Sequence, residues 1–331
     1  MLLLKNEKLA TIFIGSSHCP GWMNQSKNKF SNSSNWKFIS MMIICVVVWA
    51  FAFPFIKIGL NDLSFTNLTI MRFFVVCIVL IAILLLQPKR FSKLHKKDII
   101  PIFMLGFFGV MVYHLGLNYG EQYISPGAAS LIIATIPVLV VIMALVFLKE
   151  KITSKKLLGV IIALCGVIII SVFGTYDASI EINYIYGALT VFIAAVMGAF
   201  YTIAGKKLLE RYTALSLTVY AMLLGSVALI PLLFINPFIT DQVTTMSAYS
   251  WFAIVFLGVF STVIGYVLWY VGLEIKSTSE VSVYLYAIPV LSTIISYFLF
   301  DDKITMFFVL GGILVIIGLV LVNVNNRQKV D

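Results

Sequence analysis

Residues 137–153 read PVLVVIMALVFLKEKIT and residues 289–305 read PVLSTIISYFLFDDKIT, so the same Pro-Val-Leu opens and the same Lys-Ile-Thr closes two stretches set 152 residues apart. The match extends outward without a gap. Gly106 and Gly120 recur as Gly258 and Gly272, and Gly159 and Gly166 recur as Gly311 and Gly318. Upstream the offset is 149: Trp49-Ala50-Phe51 faces Gly198-Ala199-Phe200, Lys57 faces Lys206, and Thr69 faces Thr218. Solenoids repeat every 20 to 50 residues or so, whereas a period this long duplicates half a protein.

Both copies are built for lipid. Of 331 residues, 61% are apolar and 11% charged, with a mean hydropathy of +1.05. That leaves too little polar surface to cover a water-soluble particle of this size. About 20 apolar residues cross about 30 Å of hydrocarbon as helix. Such runs fall at 37–60, 65–87, 99–119, 126–148, 155–174, 184–205, 213–235, 248–272, 279–300 and 305–325. The expected fold is an all-α integral membrane protein of ten transmembrane helices, arranged as two inverted five-helix repeats over 36–175 and 176–326. Because five is odd, the second copy enters the membrane from the opposite side, and a pseudo-two-fold axis in the membrane plane relates the two. Residues 1–35, Asn- and Ser-rich after one short apolar run, are expected to form a disordered cytoplasmic tail, and 327–331 a C-terminal tail.

A net charge of +9 invites a nucleic-acid reading, and the placement of the charges removes it. Twenty of the 23 Lys and Arg lie in the N-terminal tail, in the connections after spans 2, 4, 6 and 8, and in the C-terminal tail. Lys303 alone lies in the opposite loops, and Lys57 and Arg72 lie within spans. By the positive-inside rule both termini are cytoplasmic, and no nucleic acid is implied. The four cysteines show no CxxC pairing and read as free thiols. With no Walker A segment, no HExxH and no Ser-His-Asp set at mid-membrane depth, the sequence predicts no enzyme, no catalytic residues, no metal and no cofactor.

Inverted repeats are the architecture of alternating access, since one fold written twice opens to either side by exchanging the conformations of its halves. The residues also carry a resemblance. Arg72-Phe73, the segment 116–130 leading to Pro137, the acid and Thr of Glu150-Lys151-Ile152-Thr153, and the span-5 glycines are similar to the EamA-type repeat of the drug/metabolite transporter superfamily, with a second copy from about Tyr184 to Asn325. The resemblance implies a ten-helix permease of the bacterial or archaeal cytoplasmic membrane, with members that export amino acids and related metabolites. Ala221 stands where the first copy has Arg72, and Asp302 where it has Glu150.

The substrate is expected at polar and aromatic positions inside the spans, because a buried polar group costs several kcal/mol unless it is paired or hydrated. His114, Asn118 and Glu121 share one face of span 3, and their copies are Tyr266, Tyr270 and Leu273. Helix–helix bonding is the alternative for the first two, and for Glu121, at the end of its span, an interfacial position. Trp49 and Phe53 pair in span 1 beside small copies, Gly198 and Thr202, with Tyr201 adjacent. Pro137 and Pro289 are candidate hinges, and Tyr286 lies one turn before the second. Arg72 either meets a substrate carboxylate, or pairs with Asp62 or snorkels to the outer surface. The predicted activity is secondary transport of a small organic metabolite, amino-acid export foremost. Carriers of nucleotide sugars, lipid precursors or drugs are the alternative within transport, and a non-transporting membrane protein or an intramembrane enzyme is the alternative outside it. Lipid bilayer and small-molecule substrate are the partners; protons and a homodimer are left open. His114 is the intramembrane side chain whose ordinary titration lies nearest neutrality.

Overall fold

The computed structural model describes residues 27–150, 152–173, 182–235, 239–300 and 306–323. In the unit Met1–Ile39 the described part is the helical stretch from Lys27, and everything below concerns the unit Ser40–Asp331. Residues 27–35, assigned to the tail in the sequence reading, are helical. Residues 1–26, Lys151, residues 301–305 and the C-terminal tail lie outside the described residues.

Ten long helices follow one another: α1 (Lys27–Leu60), α2 (Phe65–Leu86), α3 (Lys96–Gly120), α4 (Pro126–Leu148) and α5 (Ser154–Phe173), then α6 (Ile182–Leu208), α7 (Ala214–Phe234), α8 (Ala248–Ile275), α9 (Thr278–Leu299) and α10 (Met306–Asn323). Among the described residues, eight are long and apolar enough on their own to cross a membrane; α5 and α10, which pack on each other, complete the set. Hydrocarbon offers no hydrogen bonds, so each helix start needs its donors satisfied by protein. At two pairs of repeat-related helix starts the solution is the same. Ser64 Oγ accepts from Asn67 N at 3.2 Å and its copy Thr213 accepts from Ser216 N at 3.3 Å; Ser125 accepts from Ala128 N at 3.2 Å and its copy Ser277 from Glu280 N at 3.3 Å.

The repeats meet on their symmetry axis. A Cβ at Gly166 would lie 2.5 Å from Gly311 O, and one at Gly318 would lie 2.5 Å from Gly159 O. These are the same contact made twice, once from each side, so α5 and α10 cross backbone to backbone.

Two kinds of irregularity are also duplicated. In α4 the helix breaks at Ala134–Thr135 and restarts at Ile136–Met143, with Pro137 in its first turn; α9 narrows to a 3-10 turn at Val283–Tyr286 before restarting at Ala287 with Pro289 close behind. Proline supplies no N–H to the carbonyl one turn back and crowds it, so the break falls just ahead of each ring. Both α3 and α8 widen into π-helical stretches, Phe107–Val112 and Phe256–Ile264, and in α8 Thr262 Oγ1 donates to Leu257 O at 2.8 Å. Such bulges recur at functional sites.

Candidate functional site: the cavity on the symmetry axis

A cavity of about 680 Å³, its open mouth included, lies between α1, α2, α3, α4, α6, α8 and α9. Eight pairs of repeat-related positions line it: Trp49 and Gly198, Ala52 and Tyr201, Phe53 and Thr202, Gly109 and Ser261, His114 and Tyr266, Leu117 and Trp269, Ile133 and Leu285, and Ile136 and Ile288. The cavity therefore sits on the pseudo-two-fold axis. Three lining residues lack a lining copy, namely Ile56, Arg72 and Tyr113, and the second repeat has Gly205, Ala221 and Gly265 in their places. The asymmetry comes from missing side chains.

Each irregularity delivers residues here. The broken turns place Ile133 and Ile136 opposite Leu285 and Ile288, an aliphatic floor, while the π stretches supply Gly109 and Ser261. Above the floor the wall is aromatic. Tyr266 meets Trp49 at 5.5 Å and Tyr201 at 5.4 Å, both edge to face, and Trp269 lies 5.3 Å from Trp49. Trp49 Nε1 donates to Ser261 O at 2.9 Å, and its ring fills the space a Cβ on Gly265 would take.

Arg72 is the one Lys, Arg, Asp or Glu among the lining residues. It is 2% exposed; Nε donates to Thr262 Oγ1 at 2.9 Å and Nη2 to Ser261 Oγ at 3.1 Å, while Nη1 has no partner. The pairing with Asp62 considered from sequence is not formed: Asp62 takes the Ser247 N–H at 2.9 Å and hydroxyl at 2.6 Å. The Ser247 hydroxyl, with the Ser250 hydroxyl and the Ser247 N–H, holds the Asp62 carboxyl, in the α1–α2 turn, below its ordinary range. A buried guanidinium with a spare donor has the chemistry to bind an anion.

His114 stands beside it, 1% exposed, its ring edge-on to Phe73 and Tyr113 at 4.8 Å each. Nδ1 lies 3.0 Å from Val110 O; a carbonyl only accepts, so Nδ1 carries the hydrogen.

The structure brings together His114, Tyr266, Trp49, Phe53, Tyr201 and Arg72 of the residues singled out by sequence. Asn118, Tyr270 and Tyr286 lie elsewhere. Asn118 Nδ2 donates to Thr69 Oγ1 at 2.8 Å, fastening α3 to α2. Tyr270 stacks behind Tyr201 at 5.0 Å and donates to Tyr201 O at 3.4 Å. Tyr286 belongs to an apolar cluster with Leu131, Val141, Val160 and Val315. Tyr113, Ser261, Thr262 and Trp269 were not singled out, and neither were the four aliphatic floor residues. The 152-residue offset, applied to Gly109, Leu117, Ile133 and Ile136, points to half of them.

The model of the EamA-like transporter family matches residues 36–172 and 185–324, one match to each five-helix set. The chain belongs to that family. It is 38% identical over 286 residues to an uncharacterized transporter of Archaeoglobus fulgidus, across 85% of this chain and 97% of that one. It is 31% identical over 287 residues to a probable terminal-alkyne amino-acid exporter of Streptantibioticus cattleyicolor, across 87% and 93%. A crystal structure 18% identical in sequence superposes with a TM-score of 0.66 over 87% of this chain and 96% of that one, a likeness of fold. This EamA-like protein is thus a multi-span transporter with prokaryotic relatives.

Away from the cavity lining, two repeat-related lysines of the EamA-like fold bond main-chain oxygens. Lys57 in α1 donates to Glu121 O at 3.1 Å, just past α3, and its copy Lys206 in α6 donates to Leu273 O in the last turn of α8 and to Lys276 O at 3.0 Å. Donor and acceptor are both related by the repeat. On the Lys206 side, which carries the basic loops, the Glu150 carboxylate accepts from Thr278 N at 3.0 Å, Thr278 Oγ1 at 2.7 Å and Ser279 Oγ at 2.9 Å, and Lys156 pairs with Glu280 at 2.9 Å. Glu121, in the turn after α3, is 0% exposed, and neither carboxyl oxygen has a partner. Burial holds this carboxyl well above the ordinary carboxylate range, against the opposing pull of Lys57 and Arg72.

Proposed function

We propose that this protein is a secondary carrier that exports a small organic carboxylate with an apolar or aromatic body, an amino acid foremost, by alternating access. It lies in the cytoplasmic membrane with both termini inside, as the basic loops indicate. The observation that carries the reading is Arg72: buried at the cavity wall, uncompensated, and with Nη1 unpartnered. A carboxylate there receives a charge-assisted hydrogen bond, while rings of Trp49, Tyr266 and Trp269 and the aliphatic floor take the apolar part. An ammonium group is met by ring faces, since the wall has no acid. The amino-acid exporter among the relatives fits the same chemistry. A nucleotide sugar, whose phosphates call for several cations, fits a wall with one guanidinium less well.

Alternating access places the Lys206 and Glu150 bonds at the inner gate and the Lys57 bond at the outer gate. The test is counterflow in proteoliposomes loaded with unlabelled amino acids, scored by uptake of labelled L-phenylalanine, L-leucine and their decarboxylated amines. Exchange of the acids and not of the amines is expected; exchange of amines alone overturns the Arg72 assignment.

A further inference from the structure

Glu121 and Leu273 hold one position in the two repeats, and the difference between them bears on what drives the cycle; the inference rests on the carrier reading above. Both main-chain oxygens accept the repeat-related lysine. At the inner gate residue 273 is apolar and adds nothing to that bond. At the outer gate the same residue carries a fully buried carboxyl with both oxygens unpartnered, and Lys57 bonds the main-chain oxygen instead of the carboxylate. A carboxyl buried in that way is stable in its neutral form, and an ionised one in the same place draws the nearest ammonium or guanidinium to it.

We propose that Glu121 is a proton-binding site and that its proton travels with the carboxylate substrate. The groups facing it are Lys57 from α1, Arg72 from α2 and Tyr113 from α3. From α6, which packs on this end of α3, Gly187, Thr190 and Val191 lie against Gly120, the residue next to Glu121, and none of them is titratable. Arg72 is the link to the cavity, since it lines the wall and lies within electrostatic reach of Glu121. With Glu121 protonated, the guanidinium has no internal counter-charge and the substrate carboxylate supplies one. With Glu121 ionised, two carboxylates compete for Arg72 and substrate is held less tightly. Proton and carboxylate therefore bind with positive coupling, which is reciprocal. When the cavity opens, the O–H bond of the Glu121 carboxyl breaks, the proton passes to water on that side, and the electron pair stays on the carboxylate as Lys57 moves to it. Export of an accumulated carboxylate carries a proton out.

Two measurements decide this, and the first needs no substrate. Infrared spectra of the reconstituted protein at neutral pH are expected to show the carbonyl band of a protonated carboxyl that Glu121→Gln removes and Glu121→Asp shifts. A band unchanged by both variants, or no such band in the wild type, overturns the proposal. In the second, proteoliposomes made acidic outside are expected to accumulate labelled L-phenylalanine. Glu121→Gln retains exchange of that amino acid and loses proton-driven accumulation about tenfold, within the usual range of coupling between sites. Accumulation driven by the opposite gradient, or retained by Glu121→Gln, overturns it. Absence of any wild-type exchange removes the carrier reading, while the infrared result still decides the proton site.

Discussion

Arg72 in the first repeat is anchored by Ser261 in the second, Nη2 to Oγ at 3.1 Å, so the one guanidinium of the cavity is held across the boundary between the halves. A rearrangement of the repeats must change this bond. Arg72→Gln is expected to remove carboxylate transport, and Arg72→Lys to restore a small part, because an ammonium cannot reproduce the planar fork that Ser261 and Thr262 hold. Ser261→Ala removes one hydrogen bond to a charge, about 2 kcal/mol, and should raise the apparent KM some ten- to thirtyfold. Labelled uptake, normalised to folded protein by size-exclusion chromatography, checks all three.

Gly318→Leu should be the most damaging change far from the cavity. Its Cβ would lie 2.5 Å from Gly159 O, so α5 and α10 would have to separate. A loss of about 1–3 kcal/mol, the usual cost of overpacking, is expected as a lower thermal midpoint in detergent. Gly312→Ala, whose Cβ would stand 3.6 Å from Val290, serves as the tolerated control.

Glu121 makes stability depend on pH in a direction opposite to the usual salt-bridged acid. Its folded-state pKa is raised, so the folded protein holds the proton more tightly than the unfolded chain. The associated stability is fully present below the ordinary carboxyl value of about 4.5 and is lost as pH rises toward the raised value. The thermal midpoint of the wild type should fall over that window, and Glu121→Gln should flatten the fall. An equal slope in both proteins would show that other groups set it.

Glu150→Ala should loosen the inner gate. The carboxylate receives four hydrogen bonds from Thr278 and Ser279, including both main-chain N–H groups at the start of α9. Losing a helix cap costs about 1 kcal/mol. Faster amide hydrogen exchange over residues 278–286, with exchange in α5 unchanged, is the expected signature.

Much of the fold was legible because duplication writes itself into text: shared prolines and glycines, offsets of 149 and 152, and an odd number of spans. The aromatic half of the site was legible for the same reason, since His114 and Tyr266 occupy one repeat position. What could not be read was which neighbour each helix face meets. The sequence puts Asn118 on the face of His114, and the regular helix over Tyr113–Gly120 keeps it there, but one turn further along, that face meets α2 and Asn118 bonds Thr69. Tyr286 lies before Pro289 like a cavity residue, but the 3-10 turn carries Leu285 to the cavity and Tyr286 to the α5 and α10 side. Burial of Glu121 was also hidden, because a carboxylate next to a span end reads as interfacial until neighbouring helices cover it.

The three lining positions without a lining copy set a limit on how such a protein can be assembled. Arg72 faces the cavity and position 221 holds a buried alanine. A dimer of two identical five-helix chains would carry that guanidinium twice or not at all. Two of them in one buried space would repel each other and need two counter-charges. A single cation in the cavity is a stoichiometry closed to identical halves and open to a chain whose two halves differ.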